Sequence, residues 1–341
     1  MRKQNLTGAR LGERRSDELS NIKLGVSLYS FTDEYVKGTF TLEDCIRTAA
    51  EFGAEGFELV GTQMLPSYPF VSDKVLKEFK AMTNHYGIEF ISYGANADRG
   101  LRTDRDLSEE ELLQSSIIDL KTANKLGCKI MRAQYLIGPS VFAKLAPYAE
   151  AYGVKVGIEI HNPETPTSPN IQKFTEVIEK TGSPYLGFVT DFGTFATRPN
   201  KPHWDEALAN GAPLELLEMA AQLRYDGVPM MEARQRLVDA GANGAVMGAF
   251  QGMYGFVTFY NEPDYEGLKQ IMPHIIHFHG KFHYIDENLE EASIPYDKIL
   301  PIIQNSDFDG YIVSEYEDHI SGRAVEMTKR HLQMERKLLN K

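Results

Sequence analysis

Apolar runs of strand length recur along the chain, each followed by a segment whose apolar positions repeat at helical spacing. The first run, IKLGVSLYSF over 22–31, predicts a strand. TLEDCIRTAAEFGA after it predicts a helix, with Thr41 as N-cap, Asp44 as its capping-box-like partner and Gly53 as the stop. GFELV from Gly56 predicts a second strand, followed by a helix over 73–86. IEFISYG from Ile88 predicts a third, followed by a helix over 108–127; Gly87 and Gly127 close these two helices. KIMRA from Lys129, VKVGIEI from Val154 and YLGFVTD from Tyr185 are strands four to six, with helices near 140–152 and 168–181 between them. IIHFHGKF from Ile275 and GYIVSEYE from Gly310 are strands seven and eight, and a charged helix ends the chain.

Eight alternating strands and helices define an α/β fold with the count of a closed (β/α)8 TIM barrel. An open doubly wound sheet also alternates, but no Gly-x-Gly-x-x-Gly follows the first strand, so a dinucleotide site is not expected. Residues 1–21 lack the apolar stretch of a secretory signal and read as a polar arm, which leaves 22–341 as a single barrel domain. The connection between strands six and seven is out of proportion: about 90 residues separate Asp191 from His279, against about 30 for a neighbouring unit. It carries HWDEALANG, PLELLEMAAQLRYDG and MMEARQRLVDAG, so it predicts an ordered helical and Gly-rich insertion over about 198–265. The uncharged stretch 240–261 has too many glycines and polar residues for a spanning helix, and is expected to be a buried or interface segment.

Composition narrows the function classes. With 42% hydrophobic and 25% charged residues the chain can bury a sizeable core. A formal net charge of −12 opposes a polyanionic partner, so nucleic acid is not expected. Two cysteines, Cys45 and Cys128, show neither zinc spacing nor a disulfide framework and suit a cytoplasmic core.

Chemistry is expected where the strands end, since a barrel of this kind builds its active site at that face. Strand five ends with Glu159 and His161, strand six with Asp191, strand seven with His277, His279 and Lys281 on alternate residues, and strand eight with Glu315 and Glu317. A charged residue after an apolar run is costly unless paired or metal-bound. Any one of these is more often a cap or a satisfied core residue, but four on consecutive strand ends reverse that weighting. Glu159, Asp191, His279 and Glu315 are the candidate metal ligands: three carboxylates and one imidazole suit Mn2+, Mg2+ or a related divalent ion such as Co2+. An incompletely filled site of this type can stabilise an enolate made by deprotonating a carbon next to a sugar carbonyl.

These residues, in GIEIHN, LGFVTDFG, HFH and SEYE, resemble the sugar phosphate isomerase/epimerase superfamily of xylose isomerase-like barrels from about Ile22 onward. FTLEDCIR, GCKIMRAQ, GSPYLGFVTDFGTF and HFHGKFHYID bring the chain closer to the larger, alpha subunit of bacterial C-glycoside deglycosidases. The resemblance implies a metal-dependent lyase that cleaves the carbon–carbon glycosidic bond of a 3-oxo-C-glycoside, together with a small β-rich subunit. The ketone at C3 acidifies the C2 hydrogen, and the resulting enolate expels the aglycone from C1. His161, on the same strand face as Glu159, is the expected base, with Lys281 polarising the ketone or paired with Glu317. Glu58, His277 and Glu317 are expected near the substrate, with His277 alternatively orienting His279. The rival reading is a sugar isomerase or ketose 3-epimerase that uses Glu159 and Glu315 as its acid/base pair. A nuclease would want more histidines and a basic face, and a silent scaffold would show a lost ligand.

Overall fold

The computed structural model describes residues 21–66 and 68–341, so the expected arm lies outside it apart from Asn21. Eight strands, β1 (Lys23–Ser27), β2 (Gly56–Val60), β3 (Glu89–Ala95), β4 (Ile130–Gln134), β5 (Lys155–Ile160), β6 (Leu186–Asp191), β7 (Ile275–Phe282) and β8 (Tyr311–Tyr316), pair in parallel and in sequence order. The barrel closes through Lys23↔Tyr311 to Val26↔Ser314.

The strands form where the apolar runs lie, and most boundaries fall within a residue of those expected. The first is a correction: the ladder of β1 stops at Ser27↔Glu58, and Leu28–Phe31 turns as a short 3-10 helix over the barrel's end. Leu28 and Phe31 are nonetheless fully buried, so the apolar run outlasts the strand and hydrophobicity alone does not mark its end. The helix Leu42–Glu51 is started as its sequence dictates. Thr41 Oγ1 accepts from Asp44 N at 3.1 Å, and Asp44 Oδ2 accepts from Thr41 N at 2.9 Å. That helix buries Cys45, Ile46 and Ala49 against the barrel. Both cysteines are free and buried.

Between β6 and β7 the chain forms helices Lys201–Ala209, Leu214–Tyr225, Met230–Asp239, Gly244–Met253 and Tyr265–Ile271. The Gly-rich stretch contributes Gly244–Met253, started by Asn243, whose side chain accepts from Val246 N. It buries Val246, Phe250 and Met253 and leaves Phe256 70% exposed beyond its end. No helix among the described residues is long and apolar enough to cross a membrane.

One buried group outside the barrel lumen sets a pH response. Asp119, on helix Glu109–Leu126, accepts hydrogen bonds from Tyr93 Oη at 3.0 Å and Tyr68 Oη at 3.1 Å. Burial pushes its carboxyl up to about 6, only partly opposed by the two hydroxyls. The folded state therefore holds this proton more tightly than the unfolded chain. Its stabilisation is full at pH values below the unfolded carboxyl range and is lost as pH rises through about 6. Urea unfolding at pH 4 and pH 7 should show the Asp119→Asn variant losing about 2–3 kcal/mol less across that interval than the wild type.

Candidate metal centre and active site

Side chains of period two point alternately into and out of the barrel, so β7 sends His277, His279 and Lys281 inward at three successive depths. The neighbouring strands supply partners at each level, through the pairings Ser27↔Glu58, Glu58↔Ser92, Gln134↔Glu159, Asp191↔His279 and Lys281↔Glu315.

At the deepest level Glu58 is fully buried. Its carboxylate accepts from Ser92 Oγ at 2.7 Å and Ser27 Oγ at 3.2 Å, and from His279 Nε2 at 3.1 Å. Burial would raise its pKa, but His279 and then Arg132 and His277 outweigh that and hold it down at about 2. His277, also fully buried, has Nε2 3.6 Å from Glu58 and Nδ1 facing Phe278 O at 3.3 Å. Burial keeps it neutral, with a pKa of about 4. The expectation that Glu58 and His277 touch substrate is corrected by this placement: neither has surface to offer, and both lie behind His279. Strand phase gives the face but not the depth, which is why the sequence could not separate them.

At the middle level Glu159, Asp191, His279 and Glu315 each offer a ligand atom within 4.8 Å of the others, all four buried. His279 Nδ1 lies 2.7 Å from Glu159 Oε1 and 3.4 Å from Glu315 Oε2. Burial disfavours an imidazolium here, but Glu315, Glu58 and Glu159 override it and raise the pKa of His279 strongly. Loss of the Nδ1 proton would turn that nitrogen into a ligand while Nε2–H stays anchored on Glu58, an arrangement that fixes both ring orientation and tautomer. Asp191 Oδ1 accepts from Gly193 N at 2.6 Å, and Oδ2 is buried with no hydrogen-bond partner; Lys281 Nζ at 3.1 Å gives it charge without hydrogen-bond geometry. A Cβ at Gly193 would stand 2.9 Å from Asp191 Oδ1, so a larger residue there would displace that carboxylate. Five carboxylates, Glu58, Glu159, Asp191, Glu315 and Glu317, face two permanent cations, Arg132 and Lys281. The clustered carboxylates and the open Asp191 oxygen fit a divalent ion, which would take over the positive charge that a protonated His279 supplies.

At the outer level Lys281 Nζ contacts Glu317 Oε2 at 2.6 Å and Glu315 Oε2 at 2.7 Å. The pairing with Glu317 expected as one of the two roles of this lysine is thus present. Burial would strip its proton, but Asp191, Glu315 and Glu317 hold it charged. His161 sits across from it. Its Nδ1 faces Asn162 O at 2.9 Å, which orients the ring and leaves Nε2 toward the cleft, 3.8 Å from both Asp191 Oδ2 and Glu317 Oε2. Burial opposes protonation, but Glu317 and Asp191 outweigh it and Lys281, raising the His161 pKa to about 9. Glu317 thus links Lys281 to His161. Its own backbone carbonyl faces His283 Nδ1 at 3.0 Å, so His283 is a buried brace for Glu317.

A cleft of about 490 Å3 opens above this centre, walled by Tyr29, Val60, Asn96, Arg132, Tyr135 and Phe256 together with Glu159, His161, Lys281, Glu315 and Glu317. Sequence reasoning missed Arg132, whose Nη1 lies 3.7 Å from Glu159 and 3.1 Å from Asn96 Oδ1. The signal was available: a lone arginine inside the apolar run KIMRAQ. It also missed Tyr29 and Phe256; the Phe256 ring stands 6.0 Å from that of His161, edge to face.

The xylose isomerase-like TIM-barrel family matches residues 46–220, which is the class this barrel and its strand-end centre define. A 3'-dehydrocarminate deglycosidase alpha subunit from Microbacterium is 36% identical over 86% of this chain and 88% of its own length. A C-glycoside deglycosidase alpha subunit from Arthrobacter globiformis is 34% identical over 88% of this chain and 86% of its own. Within that class, the chain belongs to the C-glycoside deglycosidase alpha subunits. Its fold is also that of a D-allulose 3-epimerase from Methylomonas, with a TM-score of 0.56 at 11% identity over 93% of this chain and 98% of the other.

Proposed function

We propose that this chain is the catalytic subunit of a cytoplasmic, metal-dependent carbon–carbon lyase that releases the aglycone from a 3-oxo-C-glycoside and works with a small β-rich subunit. The observation that carries the reading is the convergence of Glu159, Asp191, His279 and Glu315 beneath an open cleft with His161 on its wall.

Those four residues would hold the ion, with Mn2+ expected and Mg2+ or Co2+ as alternatives. When bound, the ion supplies Lewis-acid stabilisation of the enolate oxygen. His161 Nε2 takes the C2 proton, with Asn162 O fixing the ring. The protonated state of His161 described above depends on Asp191 and Glu317. Engaging Asp191 in ligation would weaken the smaller of these two influences and ease the imidazole toward its basic form, with Glu317 still beside it. Lys281 and Arg132 add positive charge beside the developing enolate, and Glu317 keeps Lys281 and His161 in register. The electron pair of the C2–H bond forms the C1=C2 double bond, and the aglycone leaves C1 with the former glycosidic pair.

The test is the purified assembly, its metal content measured, given a 3-oxo-C-glucoside in one vessel and a free ketose in another. Aglycone release is expected in the first and no change in the second. Epimerised ketose without aglycone release would overturn the lyase in favour of the 3-epimerase reading.

A further inference from the structure

The lyase described above has a base on β5 but, among the residues so far given roles, nothing to protonate the departing carbon. Expelling a carbon leaving group without a proton is the hardest part of the reaction. The cleft wall opposite His161 carries a chain of groups suited to that task. In a closed eight-stranded barrel β1 and β5 lie across from one another, and Tyr29 stands in the turn that follows β1, facing the cleft. Its Oη lies 3.3 Å from His319 Nε2, and His319 Nδ1 lies 3.2 Å from Asp33 Oδ1. The tyrosine and histidine rings meet edge to face, 5.9 Å between centroids. His319 comes from the loop after β8, beside β1, and its side chain is 47% exposed, whereas Tyr29 is only partly so. A carboxylate, an imidazole and a phenol therefore run from solvent to the cleft.

We propose that Tyr29 is the general acid of this reaction, and that Asp33 and His319 are positioning residues that return a proton to it from solvent. The proposal rests on the lyase reading. When His319 presents an N–H to each neighbour, one to Asp33 Oδ1 and one to Tyr29 Oη, the phenolic hydrogen is free to point into the cleft. As the C1–carbon bond breaks, its electron pair passes to the aglycone carbon, which binds the Tyr29 proton. The phenolate then takes the Nε2 proton of His319, and water replaces it. The C2 proton leaves by His161, so charge and atoms balance without an oxidant or reductant. Burial, and after it Glu317, raise the Tyr29 hydroxyl above the ordinary phenol range against the pull of Lys281, so it gives up its proton only to a centre as basic as the departing carbon. The same chain explains His319, whose ring braces Tyr29 and Asp33 rather than capping the last helix, whose N-cap is Arg323.

The test uses the assembled, metal-loaded enzyme in D2O. Tyr29→Phe is expected to lower aglycone release by about 100-fold or more while exchange of the C2 hydrogen for deuterium in recovered substrate persists. A 3-oxo-O-glucoside with a 4-nitrophenolate leaving group, which needs no proton to depart, should lose far less. His319→Ala is expected to slow release by about tenfold, with an enlarged solvent isotope effect and partial rescue by added imidazole. Equal losses of exchange, nitrophenolate release and aglycone release in Tyr29→Phe would overturn the acid role, as would undiminished aglycone release. A wild type that exchanged and released nothing would overturn the lyase reading, and this proposal with it.

Discussion

Replacing His161 with glutamine is expected to lower aglycone release by about 100- to 10,000-fold, the range that a positioned general base contributes. Deuterium exchange at C2 should fall with it, because His161 acts before the bond to the aglycone breaks. Bound metal should not change. His161 Nε2 stands 3.8 Å from Asp191 rather than within ligand distance of its neighbours, so losing the ring removes no donor from the centre. Steady-state rates, exchange by NMR and elemental analysis on one preparation separate these outcomes. A variant that kept C2 exchange at the wild-type rate would move the base to another residue, and a variant that lost its metal would make His161 a ligand.

Removal of the divalent ion is the second large effect. Dialysis against a chelator is expected to reduce activity to background, with recovery on adding Mn2+. Melting should drop as well, since an ion at 100 times its dissociation constant stabilises the fold by about 2.7 kcal/mol. Glu315→Gln should copy the stripped enzyme without recovering. Glu315 Oε2 is shared between Lys281 at 2.7 Å and His279 Nδ1 at 3.4 Å, so the substitution removes both a ligand and the charge that balances the lysine. Calorimetric titration with Mn2+ checks this directly. Full activity in metal-free enzyme would refute the centre.

The barrel was legible because a parallel strand buried on both faces must be apolar, and each run therefore announces itself. The candidate ligands were legible for the same reason: Glu159 and Asp191 interrupt apolar runs at their ends, where charge is otherwise costly. What the sequence could not give was depth and distance. Glu58 and His277 share the inward phase of the four candidate ligands, yet lie one level below most of them, and only the strand register reveals it. Tyr29 and His319 meet across 290 positions of chain, joined by closure of β8 onto β1. Phe256 was hidden for the opposite reason, as an exposed aromatic in an uncharged stretch that pattern assigns to burial or an interface.

Phe256 is the cleft residue contributed by the segment between β6 and β7, while the candidate ligands and His161 are fixed in the strands and the turns that end them. Changes of length or sequence in that segment can therefore reshape the entrance without disturbing the chemistry below. What the cleft admits could thus be altered at Phe256 and its neighbours alone, with the strand-end side chains left where they stand.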